Sequence, residues 1–176
     1  AGGVGLIACQ WARSVGCRVI GTVSTKEKAA LAIENGCEFI INYKEEKISE
    51  KVMEITMNKG VPVVYDGVGK DTFNESIKSL STRGLMVSFG QSSGMVEKVD
   101  MHKTFNPKSL FYTRPSLMGY TLNREELINC SNKLFEKMKN KDVKSNIYKK
   151  FKLEKAKEAH KTIQSRESSG SIILEP

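Results

Sequence analysis

The chain has 176 residues, with 28 Lys and Arg against 20 Asp and Glu for a net charge of +8. That length can bury a core of its own, as one domain or one plus a piece of another. No apolar stretch reaches the roughly 20 residues that span a bilayer, no signal peptide is visible and no low-complexity run interrupts the chain, which argues against a membrane-spanning or disordered chain; a cytoplasmic place is expected, with a targeting segment ahead of Ala1 left open.

The first residues, Ala1-Gly2-Gly3-Val4-Gly5, run straight into a helical pattern in which Ile7, Ala8, Trp11, Ala12 and Val15 share one face. Glycines ahead of a helix let the backbone approach a phosphate, and the helix presents amides and the positive end of its dipole to the charge. Cys17–Val23 follows as a β-branched strand, so the order is glycine turn, helix, strand. This is the opening of a dinucleotide-binding unit without its first strand, as expected of a fragment of a longer protein. Ser24 with Glu27 three residues on predicts a capping box and a helix to Glu34, ended by Asn35-Gly36. Phe39–Tyr43 reads as a strand. Ile48, Val52 and Ile55 mark a helix closed by Asn58-Lys59-Gly60.

Val61–Asp66 is a hydrophobic strand ending in Gly67-Val68-Gly69. Phe73, Ile77 and Leu80 give the next helix, and Gly84–Phe89 the next strand. Strands alternating with helices mean βαβ crossovers and a parallel sheet, so the fold class is α/β, a Rossmann-like doubly wound parallel sheet. Residues 95–116 read as irregular, with Pro107 and Pro115 as breakers. Leu117–Tyr120 reads as a last strand. Asn123, with Glu126 at the third position, caps a long helix striped by Leu127, Ile128, Leu134, Phe135 and Met138. A helix from Leu153 to about Ser165 and a strand Ser171–Leu174 close the chain. The polar turn at Lys139–Asp142 divides it into residues 1–140 and a C-terminal segment, 141–176.

An absence carries the most chemistry. An NAD-binding unit places a carboxylate at the end of its second strand, roughly 20 residues past the glycines, for the ribose 2′-hydroxyl. Thr22–Ser24 stand there instead, followed by Lys26 and Lys28. A carboxylate repels a 2′-phosphate, whereas a hydroxyl and an ammonium bind one, so the chain leans toward NADP(H). Phe89-Gly90 ends a strand at the edge where open α/β sheets take ligands. Tyr43 ends another and is a packing residue or one that reaches the adenosine side. Asp66 lies in the same layer, as a ligand group or the cap of a turn. His160 shares the apolar face of the last helix with Leu153, Ala156 and Ile163 and reads as packed rather than catalytic. The cysteines Cys9, Cys17, Cys37 and Cys130 show neither C-x-x-C spacing nor a histidine neighbour, which argues against zinc and for reduced, mostly buried thiols. No Ser-His-Asp set or carboxylate pair suggests itself, so a cofactor does the chemistry of any enzyme built here.

Ala1–Leu6, Gly21–Lys28, Ile41-Asn42-Tyr43, Val64–Gly69, Gly84–Gly90 and Thr113–Leu117 occur together and in this order. That set resembles the NADPH:quinone oxidoreductases of the zeta-crystallin type, in the zinc-free branch of the medium-chain dehydrogenase/reductase superfamily, and covers the C-terminal half of that family. The resemblance implies that Gly3 and Val4 face the pyrophosphate. Ser24, Lys28, Tyr43 and Arg166 then surround the 2′-phosphate, Val68, Phe89 and Gly90 line the ribose and nicotinamide side, and Ser116 and Leu117 lie near the nicotinamide. It further implies hydride transfer from NADPH to a quinone, a homodimer joined through the cofactor domains, and a final helix and strand returning to an N-terminal catalytic half that supplies most of the substrate pocket. Gly67 departs from the family, which often has serine there. Two other readings stay open: a reductase of enones, aldehydes or alcohols, and an RNA-binding module without turnover. The second rests on the +8 charge and on RNA binding by some relatives; no RNA-binding motif or aromatic run for base stacking accompanies it.

Overall fold

The computed structural model describes residues 2–165 and 168–176. In chain order the elements are helix α1 (Gly3–Ser14), strand β1 (Ile20–Val23), α2 (Lys26–Glu34), β2 (Phe39–Asn42), α3 (Ile48–Ile55), β3 (Val61–Asp66), α4 (Phe73–Ser79) and β4 (Leu80–Ser88). Then come α5 (Met101–Phe105), β5 (Phe111–Thr113), α6 (Leu117–Tyr120), α7 (Arg124–Lys139), β6 (Ile147–Lys152), α8 (Ala156–Gln164) and β7 (Ser171–Glu175). They form two compact units, residues 1–42 with 132–176, and residues 43–131. None of the described helices is long and apolar enough to cross a membrane.

In the first unit β1 and β2 pair in parallel, Ile20 opposite Phe39 through Val23 opposite Asn42, joined by α2. Val23, Ala32 and Cys37 are buried together, with Cys9, Val19, Ala29 and Ile40 packed against them. The only fully buried residue of α1 is Leu6, not the expected Ile7–Val15 stripe, and Val15 is exposed. Apolar residues lie nearly all round this helix, so periodicity fixed their spacing but not which face turns inward. Strand β1 is also shorter than expected, starting at Ile20 after a turn at Gly16, whose φ is +85°. A separate parallel pair, β6 with β7, is connected through α8. Strand β6, Ile-Tyr-Lys-Lys-Phe-Lys, has no counterpart in the sequence reading. Only Phe151 of it is buried, and Lys149 stands over that ring at 4.9 Å. On α8 the buried residue is Ala159, while His160 is exposed, so the packed histidine expected there is not found.

The second unit is a parallel sheet in the order β3-β4-β5. Phe73, Leu80 and Met86 form its core, and Phe73 and Phe105 each meet the Tyr112 ring edge-on. The last strand of this sheet is Phe111–Thr113, pairing with Leu85–Val87, and the stretch expected as a strand, Leu117–Tyr120, is a helical turn. Ser116 explains the exchange: its hydroxyl accepts from Gly119 N at 3.4 Å and starts the turn right after Pro115. Helix α7 follows the sequence reading closely. Asn123 Oδ1 accepts from Glu126 N at 2.9 Å, and Glu126 Oε2 returns to Leu122 N. Its apolar stripe, however, contains no buried residue.

Candidate functional site

In the first unit α1 starts at Gly3 behind Gly2, with no side-chain cap and no acidic residue in its first turn. Leu6 N gives the first helical hydrogen bond, to Gly2 O at 3.0 Å, so the amides of Gly3, Val4 and Gly5 stand ahead of the bonded ladder. A Cβ at Gly2 or Gly5 would meet nothing within 4 Å, and one at Gly3 would make only ordinary contact with Ser171 Oγ and Gly170. None of the three has a positive φ. Neither backbone strain nor packing among the described residues therefore requires glycine here. A ligand that comes close to the amides would require it. Val4 is 66% exposed.

Ser24 and Lys28 flank the start of α2 at the C-terminal end of β1, both half-buried. The expected Ser24–Glu27 capping box is displaced by one residue. Thr25 is the N-cap, with extended backbone (φ −146°, ψ 160°), and its hydroxyl accepts from Lys28 N at 3.2 Å. Ser is if anything the better cap, so where β1 stops, at Val23, decides for Thr25. The Ser24 hydroxyl is thus released from the role the spacing gave it. Glu27 carries a carboxyl held below its ordinary value by its own backbone N–H and by the Thr25 hydroxyl. Arg166, expected beside the same phosphate, lies outside the described residues.

The remaining expected residues belong to the second unit. Asp66, 4% exposed, ends β3 and closes the turn that follows. Its Oδ1 accepts from Val68 N at 2.8 Å and Gly69 N at 3.0 Å, Thr72 Oγ1 donates at 2.8–2.9 Å, and Ser76 Oγ at 2.7 Å. Both readings of Asp66 were open in the sequence, and every one of these bonds belongs to the cap. Val68 O accepts from Ser93 N and Ser93 Oγ, so the turn is tied to the loop after β4 as well. Phe89, 44% exposed, sets its ring on Gly67, where an added Cβ would come within 2.8 Å of the ring. That contact accounts for glycine where the family often has serine. A Cβ at Gly90 would lie 2.5 Å from Gly67 O, so the ends of β3 and β4 touch backbone to backbone. Val68, Phe89 and Gly90 are in this way brought to one place.

Arg114 was quoted in the resemblance without a role. Its Nη1 reaches Ser88 Oγ at 3.3 Å and its Nη2 Gln91 Oε1 at 2.7 Å, fixing the end of β4 beside Phe89 and Gly90. Ser116 caps α6, and Leu117 is 75% exposed. Tyr43 follows β2 and is exposed, as is His102. A groove of about 620 Å³ in the first unit, lined by Gln10, Arg13, Glu34, Asn35, Lys141 and Lys144, contains none of the expected site residues.

The profile of the zinc-binding dehydrogenase family matches residues 3–138. Quinone oxidoreductase 1 of Escherichia coli is 48% identical over the whole chain, which spans 54% of that relative. A crystal structure of Escherichia coli quinone oxidoreductase complexed with NADPH superposes with a TM-score of 0.95 at 49% identity, over all of this chain and 55% of that one. A 2-haloacrylate reductase from a Burkholderia species is 44% identical over the whole chain and 53% of the relative. The chain thus spans about half the length of the relatives it matches. Among the described residues no group of three or more His, Cys, Asp or Glu could hold a metal ion. The donors present among these residues do not fit zinc.

Proposed function

Since the chain belongs to the zinc-binding dehydrogenase family, we propose that it is the NADP(H)-binding part of an NADPH-dependent quinone oxidoreductase. The observation that carries this is the start of α1: a 12-residue helix whose first amides have no side-chain cap, behind glycines that no packing among the described residues demands. Gly3 and Val4 would receive the diphosphate on their amides, at the positive end of the helix dipole. Ser24 and Lys28 would hold the 2′-phosphate, with Tyr43 and Arg166 on the adenosine side. Val68, Phe89 and Gly90 would bound the ribose and nicotinamide, with Ser116 and Leu117 beyond. NADPH, when bound, supplies a hydride. The residues of this chain orient the dinucleotide, and Arg114 and Asp66 keep the strand ends beneath it in place. A cofactor domain of residues 1–140 would join a homodimer, for which β5, an edge strand with Phe111 and Tyr112 exposed, is available, and residues 141–176 would return to the catalytic half.

The test is steady-state turnover by the full protein with NADPH and a benzoquinone. Quinone-dependent NADPH oxidation is expected, and its absence overturns the activity. Lys28→Glu should weaken NADPH several tens-fold and NADH far less, since a charge-assisted hydrogen bond contributes about 1.5–3 kcal/mol. Equal loss for both cofactors removes Lys28 from the phosphate site. The kinship with a 2-haloacrylate reductase favours a second reading, reduction of an activated alkene. Faster turnover of 2-haloacrylate than of benzoquinone would establish it.

A further inference from the structure

Cys9, on α1, and Cys37, just before β2, are 28 residues apart in sequence, yet their sulfurs lie 3.4 Å apart. The backbone makes room for them. A Cβ at Gly21 would come within 2.6 Å of Cys37 Sγ, and Gly36, at φ +106°, would set a Cβ 2.9 Å from Cys9 O. Cys37 is 4% exposed and Cys9 half-buried, so a small oxidant meets Cys9 first. The thiols were expected to be mostly buried, but Cys17 and Cys130 are exposed.

We propose that Cys9 and Cys37 are a peroxide-reactive thiol pair that closes into a disulfide joining α1 to the entry of β2. This goes beyond the cofactor reading and does not depend on it. The Cys37 thiol donates to the Cys9 sulfur, and that bond holds Cys9 below its ordinary value, while it and burial push Cys37 up. Cys9, the more accessible sulfur and the one that ionises more readily, is the attacking group, and Cys37 the reserve of proton and sulfur. The Cys9 thiolate attacks one peroxide oxygen. An S–O bond forms, the O–O bond breaks, and hydroxide leaves. Cys37 then loses its proton to that hydroxide, giving water, and attacks the Cys9 sulfur. The S–S bond forms, the S–O bond breaks, and the departing oxygen takes up a proton as a second water. Two electrons pass from the two thiols to hydrogen peroxide.

The test is a non-reducing peptide map of the full, folded protein after treatment with hydrogen peroxide and alkylation. One linked peptide pair, Cys9–Cys37, is expected, with the mass of two hydrogen atoms lost and recovered on adding dithiothreitol. Cys37→Ala should halt the reaction at a Cys9 sulfenic acid trapped by dimedone. It should also slow that step about tenfold or more at neutral pH, because Cys9 loses the donor that keeps it ionised. Cys9→Ser should abolish the link. If both thiols are alkylated after peroxide, if the link forms only in urea, or if it joins Cys17 or Cys130 instead, the pair is not redox-active. The wild-type map decides this even if a variant fails to fold.

Discussion

At Gly2–Gly5 a helix begins with its first amides ahead of the bonded ladder and, among the described residues, no side chain capping them. At Gly67–Gly69 the amides of Val68 and Gly69 are already spoken for, both donated to the buried carboxylate of Asp66, and the carbonyls are taken by Ser92 and Ser93. Both turns are glycine-rich and precede a helix. One is closed on its own chain and fixes structure; the other offers donors for which no partner stands among the described residues. A third helix start lies between these extremes. Helix α3 has no cap from Lys47, but Glu75 reaches across from α4, and its Oε2 accepts from Ser49 N at 2.9 Å and Ser49 Oγ at 2.8 Å. A binding site is the turn left unsatisfied, because buried or half-buried amides otherwise find partners.

The largest effect should come from breaking the closed turn. Asp66→Ala leaves two amides and two hydroxyls without their acceptor and should cost about 3–4 kcal/mol, the scale of two charge-assisted hydrogen bonds at roughly 1.5–3 kcal/mol each. It would be read as a lower urea midpoint. A loss under about 1 kcal/mol would mean that the turn stands without the carboxylate. The open turn should behave in the opposite way. Gly3→Ala adds a methyl with only ordinary contacts, so stability should shift by less than about 0.5 kcal/mol. If the proposed diphosphate site is right, NADPH affinity should fall about tenfold, or 1.4 kcal/mol, because a side chain at the turn keeps the diphosphate from its closest approach to the amides. Comparable losses of stability and affinity would erase the distinction between the two turns.

Glu75→Gln sharpens the intermediate case, with an expected cost of about 1–2 kcal/mol. The Glu75 carboxyl is held below its ordinary value first by Ser49 N–H, then by the Ser49 hydroxyl and Lys78. A depressed folded value means that the contribution is fully present above the unfolded carboxyl pKa and disappears as pH falls through the lower folded one. The wild type and Glu75→Gln should therefore converge in stability under acid and diverge toward neutral pH. A constant difference across that range would place the effect elsewhere.

Much of the fold was legible in the residues. Alternating Val and Ile runs separated by helical spacing gave the parallel α/β order, and Asn123 with Glu126 located α7 to the residue. What was not legible depends on partners far along the chain. Strand β6 reads as a charged surface and becomes a strand only by pairing with β7, and β5 is three residues long between two prolines. At Ser116–Tyr120 an apolar quartet fits strand or helix equally, and the capping hydroxyl decides. Within the proposed site, the glycine turn and Lys28 could be singled out from glycine spacing and a missing carboxylate, while Gly3 and Val4 individually came from the family resemblance. Asp66 carried a signal that was readable in part, since an Asp two and three residues ahead of amides at Val68 and Gly69 is an Asx turn. Its hold on Thr72 and Ser76 was not readable, nor were the reach of Arg114 to Ser88 and the meeting of Cys9 with Cys37, because each joins residues that only the folded chain brings together.

Backbone amide shifts, followed in the full protein as NADPH is titrated in, test most directly that the open turn receives the dinucleotide. The Gly3, Val4 and Gly5 N–H resonances should move the furthest, while the Gly69 N–H, locked to Asp66, should hardly move. Tight NADPH binding that leaves Gly3–Gly5 unmoved would contradict the account.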